Sequence, residues 1–206
     1  MPTIRVKEVP EWDRKRLLMH FLALNDGDRL LRFGAVLPDE LITRYVQHLD
    51  FARDTVLGVY DGKLNLVGVG HLAYAPRSAL VTVACATLKE RVAEFGVSVS
   101  ESMRGIGIGS KLFQRAAMHC RNADIDALYM HCLASNQIMM HIAQKAGMEI
   151  SRDHGEADAY LKLLPANASS VLREAIEEQA ASINYNLKAN AQVALKLFSC
   201  IPAFKN

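Results

Sequence analysis

Val92-Ala-Glu-Phe-Gly-Val-Ser-Val-Ser-Glu-Ser-Met-Arg-Gly-Ile-Gly-Ile-Gly-Ser-Lys-Leu-Phe113 is the stretch that decides how this chain folds. Its first part, Val92–Ser100, is rich in β-branched and small residues and reads as a strand. Glycines follow at every second position, Gly105, Gly107 and Gly109. An amphipathic helix then leaves, from Ser110 to about Arg121, with Leu112, Phe113, Ala116, Ala117 and Cys120 as its buried face. A strand, a glycine turn and a helix in that order make an anion site. The first amides of a helix have no intrahelical acceptor and lie at the positive end of its dipole. Glycines let the backbone approach a phosphate closely. The segment Arg104, Gly105, Ile106, Gly107, Ile108, Gly109, Ser110 is therefore a candidate cradle, and the planar fork of Arg104 adds a formal charge. The spacing is neither the GxxxxGK[ST] of a P-loop nor the GxGxxG of a dinucleotide fold. On spacing alone the ligand stays open, and a tight turn with small residues for packing is the alternative.

Working outward, residues 3–9 alternate as a first strand. A helical stretch opens at Pro10, with Leu17, Leu18, Phe21 and Leu22 at helical spacing. Residues 25–36 read as a loop or short turn punctuated by Asp26-Gly27. A second helix starts at Pro38, which suits a first turn because its missing N–H is unpaired there anyway; Leu41, Tyr45, Val46 and Leu49 form its stripe. Asp61-Gly62, between Thr55–Tyr60 and Leu64–Tyr74, signals a hairpin. Within residues 76–90, Ala79–Ala86 reads equally as strand or buried loop. Ile125–Leu133 is a strand, Asn136–Ala146 a helix closed by Gly147, and Met148–Ser151 and Ala157–Leu163 a last pair of strands. Beyond Pro165, Leu172, Ile176, Ile183, Leu187, Ala191 and Phe198 recur near the helical period. They predict one long amphipathic helix of roughly seven turns, whose stripe must dock on the domain or on a second chain, with a slight lean to a homodimer contact. The expected organisation is a domain over 1–164 and a helical extension over 165–206.

Composition narrows the function. Half of the residues are hydrophobic and 22% are charged, enough for a sizeable core. A net charge of +2 argues against a nucleic-acid surface. The four cysteines, Cys85, Cys120, Cys132 and Cys200, lack metal-site spacing, so no metal is expected. The charged N-terminus is no signal peptide, and no apolar run is long enough to cross a membrane. The expected setting is the cytoplasm.

Val99-Ser-Glu-Ser-Met-Arg104-Gly-Ile-Gly-Ile-Gly109 resembles the signature of GNAT acetyltransferases. There a strand ending in Val is followed by Arg or Gln, two residues, Gly, one residue, and Gly or Ala. Asn136-Gln-Ile-Met-Met-His-Ile-Ala-Gln-Lys-Ala-Gly-Met148 is similar to that superfamily's next helix, which begins at Asn and ends in Lys-x-Gly-Phe. One helix and one strand separate the two motifs, as in the superfamily. Leu30-Leu-Arg-Phe33, Leu49-Asp-Phe51, Val67-Gly-Val69 and Ala93-Glu-Phe95 resemble more closely the GNAT domain of bacterial protein-lysine acetyltransferases. Those carry an acyl-CoA-synthetase-like partner domain that this sequence lacks.

The resemblance implies an α+β fold, a mixed central sheet with helices on both faces, to which the C-terminal helix is an addition. It implies acetyl-CoA as cosubstrate and a primary amine, small molecule or protein lysine, as acceptor. The pantetheine arm would pair like a strand with Val97 to Val99, the amides of Arg104 to Ser110 would hold the pyrophosphate, and Asn136 would reach the pantetheine side. Glu94, at the Ala-Glu-Phe position, is the candidate general base; strict alternation puts it on one face with Gly96 and Ser98, opposite Phe95, Val97 and Val99. The plainer reading is an exposed strand glutamate. Glu101 is the runner-up. The superfamily's usual acid, a tyrosine in the helix after Asn136, falls here on Ala143. His141, His131 and Tyr129 are nearby replacements, each also readable as a packing or surface residue, and His71 suits a hydrogen-bonded core histidine. Two other functions compete: an acyl-CoA-binding regulatory module with little catalysis, and an unrelated nucleotide-binding domain.

Overall fold

A computed structural model of the chain describes residues 3–74 and 90–199. The expectation for residues 76–90 falls largely outside them. The elements in order are β1 (Lys7–Glu8), α1 (Arg14–Leu22), α2 (Asp26–Phe33), α3 (Asp39–Gln47), β2 (Thr55–Tyr60), β3 (Leu66–Tyr74), β4 (Val92–Val99), α4 (Ile108–Asn122), β5 (Ala127–Leu133), α5 (Gln137–Ala146), β6 (Glu149–Asp153), β7 (Glu156–Lys162) and α6 (Ala168–Ser199). The strands make one sheet in the order β1-β2-β3-β4-β5-β7-β6. All neighbours are antiparallel except β4 and β5. This is the expected mixed sheet with helices on both faces.

Alternation along β4 divides the molecule into layers. Ala93 and Phe95 turn to one face and join the core under α4 and α5, where Phe95 meets Phe113 edge-on at 5.5 Å. Glu94, Gly96 and Ser98 turn to the other face, over which α1 to α3 lie. Gly68 lets α4 come close, because a Cβ there would stand 2.5 Å from Ile108. The second core gathers Leu17, Phe21, Ile42 and Val46 against β2 and β3.

Several expectations change. Residues 25–36 are largely a helix rather than a loop. Asn25 caps it by accepting the Asp28 N–H at 2.9 Å, Asp26 and Asp28 favour the positive end of its dipole, and Gly34 ends it at φ 74°. On α3 the buried residue is Ile42, not Leu41, which is 41% exposed. The stripe is thus Ile42, Val46 and Leu49. The first strand shrinks to two residues, Lys7 and Glu8, paired with Gly58 and Leu57 of β2. The hairpin turn runs on to Asn65, since the Asp61 carboxylate accepts the N–H groups of Lys63 and Asn65, both at 2.8 Å.

The greatest change is at α6. The helix has 32 residues, about nine turns. It docks on the domain with the face opposite the predicted stripe. Arg115 of α4, only 3% exposed, pairs with Glu174 and Glu178. Glu174 also accepts from His119 at 2.7 Å and from Asn122 at 2.6 Å. Burial opposes its charge, but these partners hold its carboxyl down at about 2. Farther along, Tyr185 meets Tyr60 edge-on at 4.9 Å and donates to Asp13, and Lys188 donates to the Tyr60 carbonyl at 2.8 Å. Leu172, Ile176, Ile183 and Leu187 all face outward, near 60% exposed.

Candidate functional site

The site begins where two strands part. β4 and β5 pair only through Val92↔Ala127, Ala93↔Leu128 and Glu94↔Tyr129. Beyond that, β4 runs on to Val99 and β5 to Leu133 without partnering each other. A cavity of about 550 Å³ lies at the β4 side of the opening, between α2, the end of β4, the glycine turn and α5. Val97, Val99, Arg104, Gly105, Gly107, Ile108, Gly109, Ser110 and Asn136 all line it. Ile106 does not and is 46% exposed.

The glycine turn is built as its sequence requires. Gly105 and Gly107 have φ of 77° and 93°, a region that side chains with a Cβ resist. α4 starts at Ile108, two residues earlier than expected, and no side chain caps it. Its first-turn N–H groups are therefore free to meet an anion at the cavity wall. Gly109 serves differently: a Cβ there would press on Ile142 of α5 at 3.2 Å.

Charge at this end departs from expectation. The Arg104 guanidinium pairs with Asp28 of α2 and donates from Nε to the Val99 carbonyl at 3.2 Å. Its charge is thus partly met before any phosphate arrives. Lys145, in the last turn of α5, also lines the cavity, and the sequence reading missed it. Asn136 caps α5 by accepting the Met139 N–H at 3.1 Å, so its amide N–H groups are what remains for a ligand.

Glu94 lies at the point of parting, exposed, between Ala73 of β3 and Tyr129 of β5. It is outside the cavity lining. Glu101 is exposed in a short 3₁₀ turn. Tyr129 donates to Asp158, and His131 Nδ1 shares the same oxygen at 2.8 Å. Burial, then Asp158 and the charge of Glu94, push the Tyr129 hydroxyl above the usual tyrosine range. The same two donors pull the Asp158 carboxyl below its usual range. Asp158 was missed because it belongs to this end only through the β5–β7 register. Ala143 is fully buried in the core and lines nothing, whereas His141, two residues earlier, lines the cavity.

The face over β4 holds two buried histidines. His20 donates from Nδ1 to the Leu66 carbonyl at 2.9 Å and accepts from the Ser98 hydroxyl at 2.8 Å. Burial lowers it to about 4. His71 lies between Tyr45 at 3.1 Å and Asp54 at 3.3 Å, and burial, helped by Arg32, lowers it to about 4 as well. Among the described residues no group of three His, Cys, Asp or Glu side chains is placed to hold a metal ion.

The sequence pattern of the Acetyltransferase (GNAT) family matches residues 10–148. Among solved structures, the GNAT domain of S. lividans PAT is similar at a TM-score of 0.63 and 21% identity, over 79% of this chain and 92% of that one. The spermidine N-acetyltransferase from Vibrio cholerae, in complex with CoA and spermine, gives 0.56 and 18%, over 77% and 95%. The yncA protein from Salmonella typhimurium, with its cofactor acetyl-CoA, gives 0.57 and 12%, over 81% and 98%. Identities this low speak for the fold alone. The family pattern spans both the glycine turn and the Asn136 helix, and the chain belongs to the GNAT acetyltransferase family.

Proposed function

We propose that this chain transfers an acetyl or other acyl group from its CoA thioester to a primary amine, by direct attack within a ternary complex. The observation that carries this reading is the parting of β4 from β5 beside an uncapped helix N-terminus. An extended, uncharged arm fits the opening as a strand would, and a pyrophosphate fits the amides of Ile108 to Ser110. Holding thioester and amine together supplies much of the rate.

An ammonium has no lone pair, so the acceptor must first lose a proton. Glu94 is the carboxylate at the apex and takes that proton, directly or through water. The leaving thiolate, with a thiol pKa near 8.5, needs little help. The test is CoA release from acetyl-CoA across a broad amine panel. Glu94→Gln should lower kcat about 100-fold or more while leaving acetyl-CoA binding intact. An unchanged kcat would remove Glu94 from the mechanism.

A second reading has Ala143 in its favour, since the family's usual acid is missing there. In that reading the chain binds acyl-CoA and regulates a partner. Tight acetyl-CoA binding with no turnover on any amine would select it.

We also propose that the outward stripe of α6 meets a second copy of the chain. Four large apolar side chains in a row, docked on nothing among the described residues, support it. Light scattering should return twice the 22.8 kDa chain mass, and Ile183→Asp should halve it. A monomeric wild type would sink the idea.

A further inference from the structure

Arg32 stands apart from the other arginines of this domain. It leaves α2 and lies flat on β4, where a Cβ on Gly96 would come within 2.8 Å of its Cζ. Phe33, Phe21 and Tyr45 surround the guanidinium, with ring centroids at 5.1, 5.7 and 5.9 Å. Its Nη2 donates to the Tyr45 hydroxyl at 3.0 Å. An arginine only donates, so the Tyr45 oxygen accepts here and passes its own hydrogen to His71 Nδ1. His71 Nε2–H then donates to Asp54. Each bond in this chain has one direction, and together they fix the guanidinium.

The held group lacks a counter-charge. Among the described residues no carboxylate lies within ion-pair distance of Arg32. Asp28, one turn earlier on α2, is taken by Arg104. Residues 75–89 contain no Asp or Glu. The rings attract the guanidinium and Tyr45 accepts one of its hydrogens, but no anion answers its charge, which leaves it able to take one from a ligand.

Its position says which ligand. Arg32 lines the cavity and lies on Gly96, up β4 from Val99, where the chain leaves the strand toward the glycine turn that would bind phosphates. The arm between is uncharged. Gly96 shares its face with Glu94, about 7 Å away by two strand residues. We propose that Arg32 binds a carboxylate of the substrate at the transfer end, and that the acceptor is an amino acid or similar amino-carboxylate. A planar fork meets a carboxylate through two parallel hydrogen bonds. The acceptor is the favoured source because Arg32 lies on the face that carries Glu94, not between the strands.

This inference rests on acyl transfer as the function, and the test separates the two. Acetyl transfer is measured on matched amines that differ by a carboxylate: L-lysine against cadaverine, and 4-aminobutyrate against butylamine. The carboxylate member should have kcat/KM at least about tenfold higher in one pair, a difference worth about 1.4 kcal/mol. Arg32→Gln should erase the gap through KM, and Arg32→Lys, which keeps the charge, should recover part of it. A parallel arm compares succinyl-CoA with acetyl-CoA on one amine. A gap there that Arg32→Gln erases assigns the carboxylate to the acyl group. If neither gap exists, or Arg32→Gln changes neither while thermal unfolding shows it folded, the inference falls. If no amine reacts at all, the acyl-transfer reading falls, and calorimetry of 4-aminobutyrate and succinate with CoA-loaded protein decides this one. Binding lost in Arg32→Gln supports it, and no binding to the wild type overturns it.

Discussion

His20 and His71 stand on neighbouring strands and helices of one face, and burial keeps both neutral. Each titrates near 4 in the folded chain and near 6.5 once unfolded. Between those values the unfolded state binds protons that the folded state refuses, so stability falls as pH falls through that window. The loss is up to about 1.4 kcal/mol per pH unit for each histidine. Glu174, held at about 2, keeps its contribution until pH drops below the ordinary glutamate range. Urea midpoints measured from pH 7 to 4.5 should decline below about 6.5, and His71→Asn should flatten part of the slope. A level profile in the wild type would show that these histidines are not buried as described. At this scale the sequence reads well where conformation alone dictates the residue, as at Gly105 and Gly107. It reads poorly at Arg32, Asp28 and Asp158, whose partners come from other elements. The Arg104–Asp28 pair shows the reason: both residues are plain in the sequence, but only the crossing of α2 over the turn joins them.

Among the elements, β2 to β5, α4 and α5 were legible because their periodicity and punctuation agree. α2 was not, because Asp26-Gly27 has the composition of a turn. The Asn25 cap, three residues before the N–H it accepts, was the available signal. The error at α6 has another cause. Hydrophobic spacing finds the stripe of a helix but assumes that the stripe is the buried side. Here Arg115, His119 and Asn122 of α4 draw the acidic side inward instead. A helix docked through charge on one side keeps its apolar side for the second copy proposed above. For that reason Ile183→Asp should change the assembly without loosening α6 from its own domain.

At the scale of the whole molecule, the seven strands are two half-sheets, β1 to β4 and β5 to β7, sewn together over three residue pairs. Helices cross the seam on both faces, α4 on one and α2 on the other, but the strands themselves pair no farther than Glu94 and Tyr129. A ligand laid between β4 and β5 would therefore act as a missing strand. At a hundredfold excess over its Kd it would stabilise the chain by about 2.7 kcal/mol. Amide hydrogen exchange should show where: protection gained on adding acetyl-CoA should spread into both β4 and β5, not stay at the glycine turn. Protection confined to residues 104–110 would mean that the arm does not enter the opening. On this view the cosubstrate is a part of the architecture as well as a reactant. An enzyme short of acetyl-CoA would then be a looser molecule, more open to proteolysis at its seam, and its abundance would follow the supply of its own substrate.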